Sequence, residues 1–187
     1  MADHVCPWWM GYLLASPVRR WIQNPADMVG PHIEAGMTVL EPGPGMGFFT
    51  LPMAEMVGSS GRVVAVDIQP RMLDRLRRRA AKKGMLPRLD ARLAQPGSLG
   101  VGDLSGTVDF VLACAVVHEM PSSEVFFREA AAALKPGGTL LLVEPAGHVN
   151  PAKFAQEIDV ARQAGLERKE RAVVRHCLAA VLSKKAA

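Results

Sequence analysis

The sequence predicts an α/β fold built on a mainly parallel sheet with helices on both faces. Three observations predict it. Continuous apolar, β-branched runs recur at 37–42 (MTVLEP), 61–68 (GRVVAVDI), 108–116 (VDFVLACAV) and 139–145 (TLLLVEP). Strands buried on both faces read this way, without the alternation of a half-solvated sheet. Helix-patterned segments separate the runs, and strand–helix alternation gives parallel neighbours. A glycine-dense turn, EPGPGMG at 41–47, lies where the first strand passes into a helix. Ligands of open α/β sheets bind beyond the carboxyl ends of the strands.

Taken in order, the first 30 or so residues stand apart. They hold all three tryptophans (Trp8, Trp9, Trp21) and the only tyrosine, Tyr12. We read residues 1–30 as a helical extension, a cap or lid on a single domain whose core is 31–187. Trp8, Trp9 and Tyr12 could then shelter an apolar or aromatic substrate. Packing on the domain, a dimer contact, or a membrane surface met together with Arg19 and Arg20 are the other uses of such a head. The first helix of the core follows the glycines to about Val57–Gly58. The second spans 70–83 and has Met72, Leu73, Leu76 and Ala80 on one face. A weaker strand is expected at 89–94. A third helix runs from Ser122 to Leu134, ahead of a Lys-Pro-Gly-Gly turn at 135–138. A fourth starts at the Asn150–Pro151 cap and stops at Gly165, with Phe154, Ile158 and Ala161 as its buried stripe. RKERAVVR (168–175) and CLAAVLSK (177–184) are close enough to pair as a hairpin.

The bulk numbers fit this picture. A chain of 187 residues can bury a respectable core. It is 49% hydrophobic and 21% charged, as ordinary soluble proteins are. No apolar run approaches the roughly 18 residues that cross a bilayer. The stretch 8–15 is apolar but short, and Asp3 and His4 precede it where a signal peptide would be basic. Three scattered cysteines with no CxxC argue against a disulfide framework or a zinc site and for a reducing cytoplasm. The net charge of +4 permits acidic partners without demanding them.

The glycines carry the first functional signal. Glycine tolerates positive φ and lets a ligand approach the backbone with no Cβ in the way. A helix N-terminus behind such a turn offers free N–H groups. The dinucleotide pattern G-x-G-x-x-G fails here, because Phe48 stands where its third glycine belongs and Gly47 comes one residue early. Asp67 closes the next strand, 20 residues beyond Gly47. A carboxylate there can accept both hydrogen bonds of a ribose diol; capping the helix near Pro70 is the plainer use.

The sequence E-x-G-x-G-x-G after the first strand, Asp67 closing the second, Asp109 opening the fourth and L-K-P-G-G before the fifth together resemble the class I S-adenosylmethionine-dependent methyltransferases. The resemblance covers roughly residues 30–187. It implies a Rossmann-like, doubly wound, seven-stranded and mainly parallel sheet, the closing hairpin supplying strands six and seven. It implies S-adenosylmethionine as cofactor and S-adenosylhomocysteine as product. In such enzymes the glycine turn wraps the methionine part, a role falling to Glu41, Gly43, Gly45 and Gly47, with Glu41 near the amino group. Asp67 would hold the ribose hydroxyls and Ile68 would lie against the adenine. Gln95 stands where the family often has an acid beside the adenine amino group, a departure from the pattern. Ala113, Cys114 and Ala115 would line the floor below the methyl group.

Methyl transfer needs a nucleophile held in line with the C–S bond, and a base only if that nucleophile is protonated. His118 and His148 each follow a strand and are the candidate bases or substrate contacts. No Asn/Asp-Pro-Pro-Tyr follows the fourth strand, no Pro-Cys pair points to cytosine chemistry, and no carboxylate cluster marks a catalytic metal. Residues 71–92 carry nine of the 22 basic residues without any aromatic. This is a solvated helix face, or a phosphate-tracking surface. The sequence therefore predicts a methyltransferase acting on a small molecule, as monomer or homodimer. The alternatives are an RNA methyltransferase using the basic face, and a cofactor-binding protein without catalysis.

Overall fold

The computed structural model describes residues 24–170 and 172–186. Trp8, Trp9 and Tyr12, and most of the expected cap, lie outside the described residues. The chain divides into two compact units, with the boundary between Ala94 and Gln95.

The first unit opens with a short helix α1 (Pro25–Val29), whose Asn24 side chain accepts the Ala26 N–H at 3.2 Å. Three strands follow, β1 (Thr38–Pro42), β2 (Arg62–Asp67) and β3 (Leu89–Leu93), with helices α2 (Thr50–Met56) and α3 (Pro70–Lys82) between them. The strands are parallel, with Leu40 opposite Val64 and Val64 opposite Asp90. Val39, Leu40 and Val63–Val66 are buried, as their continuous apolar pattern requires. Met72, Leu73, Leu76 and Ala80 are the buried face of α3. Burying each large side chain contributes about 1.5–3 kcal/mol.

The second unit holds β4 (Val108–Cys114), α4 (Ser123–Ala133), β5 (Leu134–Pro145), α5 (Pro151–Gln163), β6 (Leu166–Glu170) and β7 (Cys177–Lys184). β4 and β5 are parallel, while β7 runs antiparallel to both β5 and β6. The strands follow the order β3-β2-β1-β4-β5-β7-β6 in a seven-stranded sheet. This is the doubly wound, mainly parallel architecture with the closing antiparallel hairpin that the sequence predicts.

Three local expectations are corrected. β5 begins at Leu134, so the Lys-Pro-Gly-Gly stretch lies inside the strand. There the register slips, from Val108 opposite Leu134 to Phe110 opposite Thr139, and the extra residues bulge out. β6 spans Leu166–Glu170 in place of 168–175: buried Leu166 anchors its start, whereas Val173 is 94% exposed and has no face to bury. On α5 the buried set is Phe154, Glu157 and Ala161, with Glu157 in the place expected of Ile158.

Candidate active site

The glycine turn leaves β1 with φ of +68° at Gly43, +54° at Gly45 and +83° at Gly47. L side chains rarely adopt this region, and that is the local reason for the sequence. The Gly43 N–H donates to Val66 O at 2.9 Å, tying the turn to β2, and the Gly47 N–H donates to Pro44 O at 3.0 Å. The glycines differ in what surrounds them. A Cβ at Gly47 would lie 2.5 Å from Leu76 Cδ1, so this glycine lets the turn pack on α3. A Cβ at Gly45 would meet nothing within 4 Å among the described residues, which leave that side of the turn open.

Buried carboxyls stand near the turn. Glu41 is 3% exposed, and its Oε2 accepts the Thr50 hydroxyl at 2.5 Å. Asp67 is 9% exposed at the end of β2, and its Oδ1 accepts the Gln69 N–H at 2.8 Å. It therefore shapes the turn into α3 through the Gln69 N–H, while the helix itself, with Gln69 at its N-cap, has no side-chain cap among the described residues. Ile68 is exposed beside it. Open glycine backbone, a carboxylate at the strand end before it and a second on the neighbouring strand suit a ligand carrying an ammonium group and a sugar diol. Two contributors to this turn escaped the sequence reading. Thr50 orients Glu41, and the Arg79 guanidinium donates to the Met46 carbonyl.

The basic run is partly tied down. Arg77 donates to Ala91 O at 2.6 Å, Arg88 to Ala54 O at 3.3 Å, and Arg92 pairs with Asp90 at 2.7 Å. With Arg79, these cations hold the first unit's own backbone and carboxylates.

The second unit carries a separate cluster. Glu144, near the end of β5, is fully buried. Its Oε1 accepts the Val117 N–H at 2.9 Å, and its Oε2 pairs with His118 Nδ1. One carboxylate thus fixes both the 3-10 turn Val117–Glu119 and the imidazole it carries. His118 Nε2 faces His148 Nδ1 at 3.3 Å, the rings meeting edge to face. Glu119 Oε1 lies 4.0 Å from His118 Nε2. The hydrogen bond His118 donates to the Glu144 carboxylate raises the His118 pKa above its ordinary value, against the opposing effect of burial. Glu157, 5% exposed on α5, has an Oε2 with no hydrogen-bond partner among the described residues. Burial, then the nearby Glu144 charge, push its carboxyl up to about 7.

His118 and His148, suggested separately by sequence, are therefore neighbours. Glu144 and Glu157 were missed as members of their cluster. Glu144 lies at the end of the apolar run 139–145, where nothing in the sequence shows its pairing; Glu157 was masked by the apolar residue next to it. Gln95 is exposed, with its carbonyl accepting the Ser98 N–H at 3.1 Å. Cys114 is half-buried at the end of β4. The next residue, Ala115, has φ +55°, which for alanine costs on the order of 1 kcal/mol. Among the described residues, no group of His, Cys, Asp and Glu side chains is arranged to hold a metal ion. No helix among them is long and apolar enough to cross a membrane.

A doubly wound sheet with a glycine turn after β1 and an acid closing β2 is the class I S-adenosylmethionine-dependent methyltransferase fold. The family model described as "methyltransferase domain" matches residues 40–142, and the chain belongs to that family. It is 32% identical over 125 residues to an arsenite methyltransferase of Halobacterium salinarum, covering 67% of this chain and 30% of that protein. It is 31% identical over 126 residues to a ubiquinone/menaquinone biosynthesis C-methyltransferase of Enterobacter sp., covering 67% of this chain and 49% of the relative. The chain thus spans half or less of the length of these curated relatives. A solved S-adenosylmethionine-dependent methyltransferase from Aquifex aeolicus shares the fold with a TM-score of 0.84 at 21% identity, over 96% of this chain and 99% of that one.

Proposed function

We propose that this protein transfers a methyl group from S-adenosylmethionine to a small-molecule acceptor and releases S-adenosylhomocysteine. The observation that carries the reading is the glycine turn of the first unit, open at Gly45 among the described residues and accompanied by the buried carboxyls Glu41 and Asp67. Glu41 would receive the cofactor's amino group, the backbone of Gly43, Gly45 and Gly47 its methionine part, Asp67 the ribose hydroxyls, and Ile68 the adenine. When bound, the sulfonium supplies an already activated methyl group. The chain's own task is to bind, to orient and to shed water, and positioning provides most of the rate.

A small acceptor is favoured over RNA because guanidinium groups at 77, 79, 88 and 92 already have intramolecular acceptors. The relatives are named for arsenite and for C-methylation, both compatible with a small acceptor. His118 and His148 are the groups that could take a proton from it.

The test is incubation of the protein with methyl-labelled S-adenosylmethionine and a protein-free metabolite extract. Label in small molecules, absent with Asp67→Ala, is the expected result. Label in added RNA would replace this reading with the RNA one. Bound cofactor with no labelled product in either would make the protein a non-catalytic binder.

A further inference from the structure

The cluster in the second unit has a direction. Glu144 is fully buried, and both its oxygens are occupied, Oε1 by the Val117 N–H and Oε2 by His118 Nδ1. A carboxylate in that position fixes the tautomer of a neutral imidazole: Nδ1 carries the hydrogen and Nε2 carries the lone pair. The Nε2 of His118 then needs a donor, and the neighbour at 3.3 Å is Nδ1 of His148. His148 is thereby set with its own hydrogen on Nδ1. Its Nε2 is left as a lone pair on an exposed side chain.

We propose that Glu144, His118 and His148 form a proton relay whose accepting end is Nε2 of His148, and that the relay serves a methyl acceptor whose nucleophilic atom carries a proton, of the phenol or enol class. The second half rests on the methyl-transfer reading; the relay itself does not.

The step balances. The acceptor oxygen, or the enol carbon conjugate to it, bonds to the methyl carbon while the carbon–sulfur bond breaks and leaves its electron pair on sulfur. The acceptor's proton goes to Nε2 of His148. The hydrogen on His148 Nδ1 passes to His118 Nε2. The positive charge ends on His118, against the Glu144 carboxylate. His118 and Glu144 are positioning residues here, and His148 is the base.

Every charged group facing His118 bears on this balance. Glu119 lies on its own turn, Glu144 on β5, and Lys153 and Glu157 on α5. Glu144 and Glu119 favour the proton-loaded relay and Lys153 opposes it. Base function therefore appears as pH rises through the elevated His118 pKa. Proton transfer is most effective between groups of similar pKa. Phenols, near 10, lie within reach of an imidazole, while aliphatic alcohols lie far above. A trivalent arsenic or a free amine attacks through an existing lone pair and needs no relay.

The experiment is ¹⁵N NMR of the imidazoles in the full-length protein, titrated from pH 5 to 9. At high pH the relay requires the Nδ1–H tautomer at both His118 and His148. In His118→Asn, His148 should revert to the commoner Nε2–H form. An Nε2–H tautomer for His148 in the wild type at high pH, or a His148 tautomer unchanged by His118→Asn, overturns the relay. The wild-type measurement requires no variant to fold. For the acceptor class, methyl transfer to phenol and catechol is compared with transfer to aniline and arsenite. Phenolic product that falls on the order of 100-fold in His148→Gln, with S-adenosylhomocysteine affinity unchanged, is expected. Transfer to aniline or arsenite that His148→Gln leaves intact overturns the acceptor class. Failure of the wild type to bind S-adenosylhomocysteine would overturn methyl transfer and leave the tautomer result standing.

Discussion

Glu144 uses both carboxylate oxygens inside the second unit, one on the Val117 N–H and one on His118. Removing it leaves buried polar groups unpaired, so Glu144→Ala should destabilise the protein by about 3 kcal/mol or more, read in urea unfolding. Glu157 acts in the opposite sense. Its folded pKa of about 7 lies above the ordinary carboxyl value, so folding favours its protonated form. That contribution is complete below the ordinary value, declines as pH rises through the window up to about 7, and is lost above it. The raised His118 pKa works in the same direction, its contribution being lost as pH rises through its folded pKa. The urea midpoint should therefore fall between pH 5 and pH 8. Glu157→Gln should flatten that fall, on the order of 1–2 kcal/mol once solvent screening is allowed for. Residues whose role is set by local backbone were legible in the sequence: Gly43, Gly45 and Gly47 by their spacing, and Asp67 by its place after an apolar run. Glu157 was not, because an acid on a helix face reads as solvated. Only the packing of α5 shows that it shares the face of Phe154 and Ala161.

At the scale of elements, the glycine turn and α3 fit each other at one point. Gly47→Ala would combine a left-handed φ of +83° with a Cβ 2.5 Å from a buried leucine. A loss of about 1–3 kcal/mol is expected in thermal unfolding, with weakened cofactor binding because the turn must shift. In the second unit, Glu129 on α4 holds the segment after Gln95, its Oε1 accepting the Ser98 hydroxyl at 2.8 Å and its Oε2 the Leu99 N–H at 2.5 Å. Glu129→Ala should raise hydrogen exchange at Ser98–Gly100 while leaving exchange in β4 and β5 unchanged. Elements with continuous apolar cores, β1, β2, β4 and the body of β5, were readable because burial on both faces leaves an unambiguous pattern. The start of β5 was not: its Lys-Pro-Gly-Gly stretch has turn chemistry, yet strand pairing resumes around it as a bulge. β6 was misplaced because its charged edge sequence has one buried residue, Leu166, to set the register.

Across the whole molecule, sequence order alone implied the sheet, because each apolar run is followed by a helix that must return the chain to a parallel neighbour. The closing hairpin was also readable, from two runs too close to enclose a crossover. The candidate site was half readable as geometry. The glycine turn and its acids follow from backbone geometry that only certain residues allow. The His118–Glu144–His148 cluster depends on side chains that β4, β5 and their loops bring together from 30 positions apart, and no local pattern announces it. Family membership and fold leave cofactor use as the statement on which the functional reading stands. It is tested by calorimetric titration of the purified protein with S-adenosylhomocysteine, in parallel with Asp67→Ala. Saturable binding by the wild type, weakened roughly 10- to 100-fold by loss of the charged acceptor, is the predicted result. Absence of saturable binding by the wild type, or equal affinity in Asp67→Ala, would contradict it.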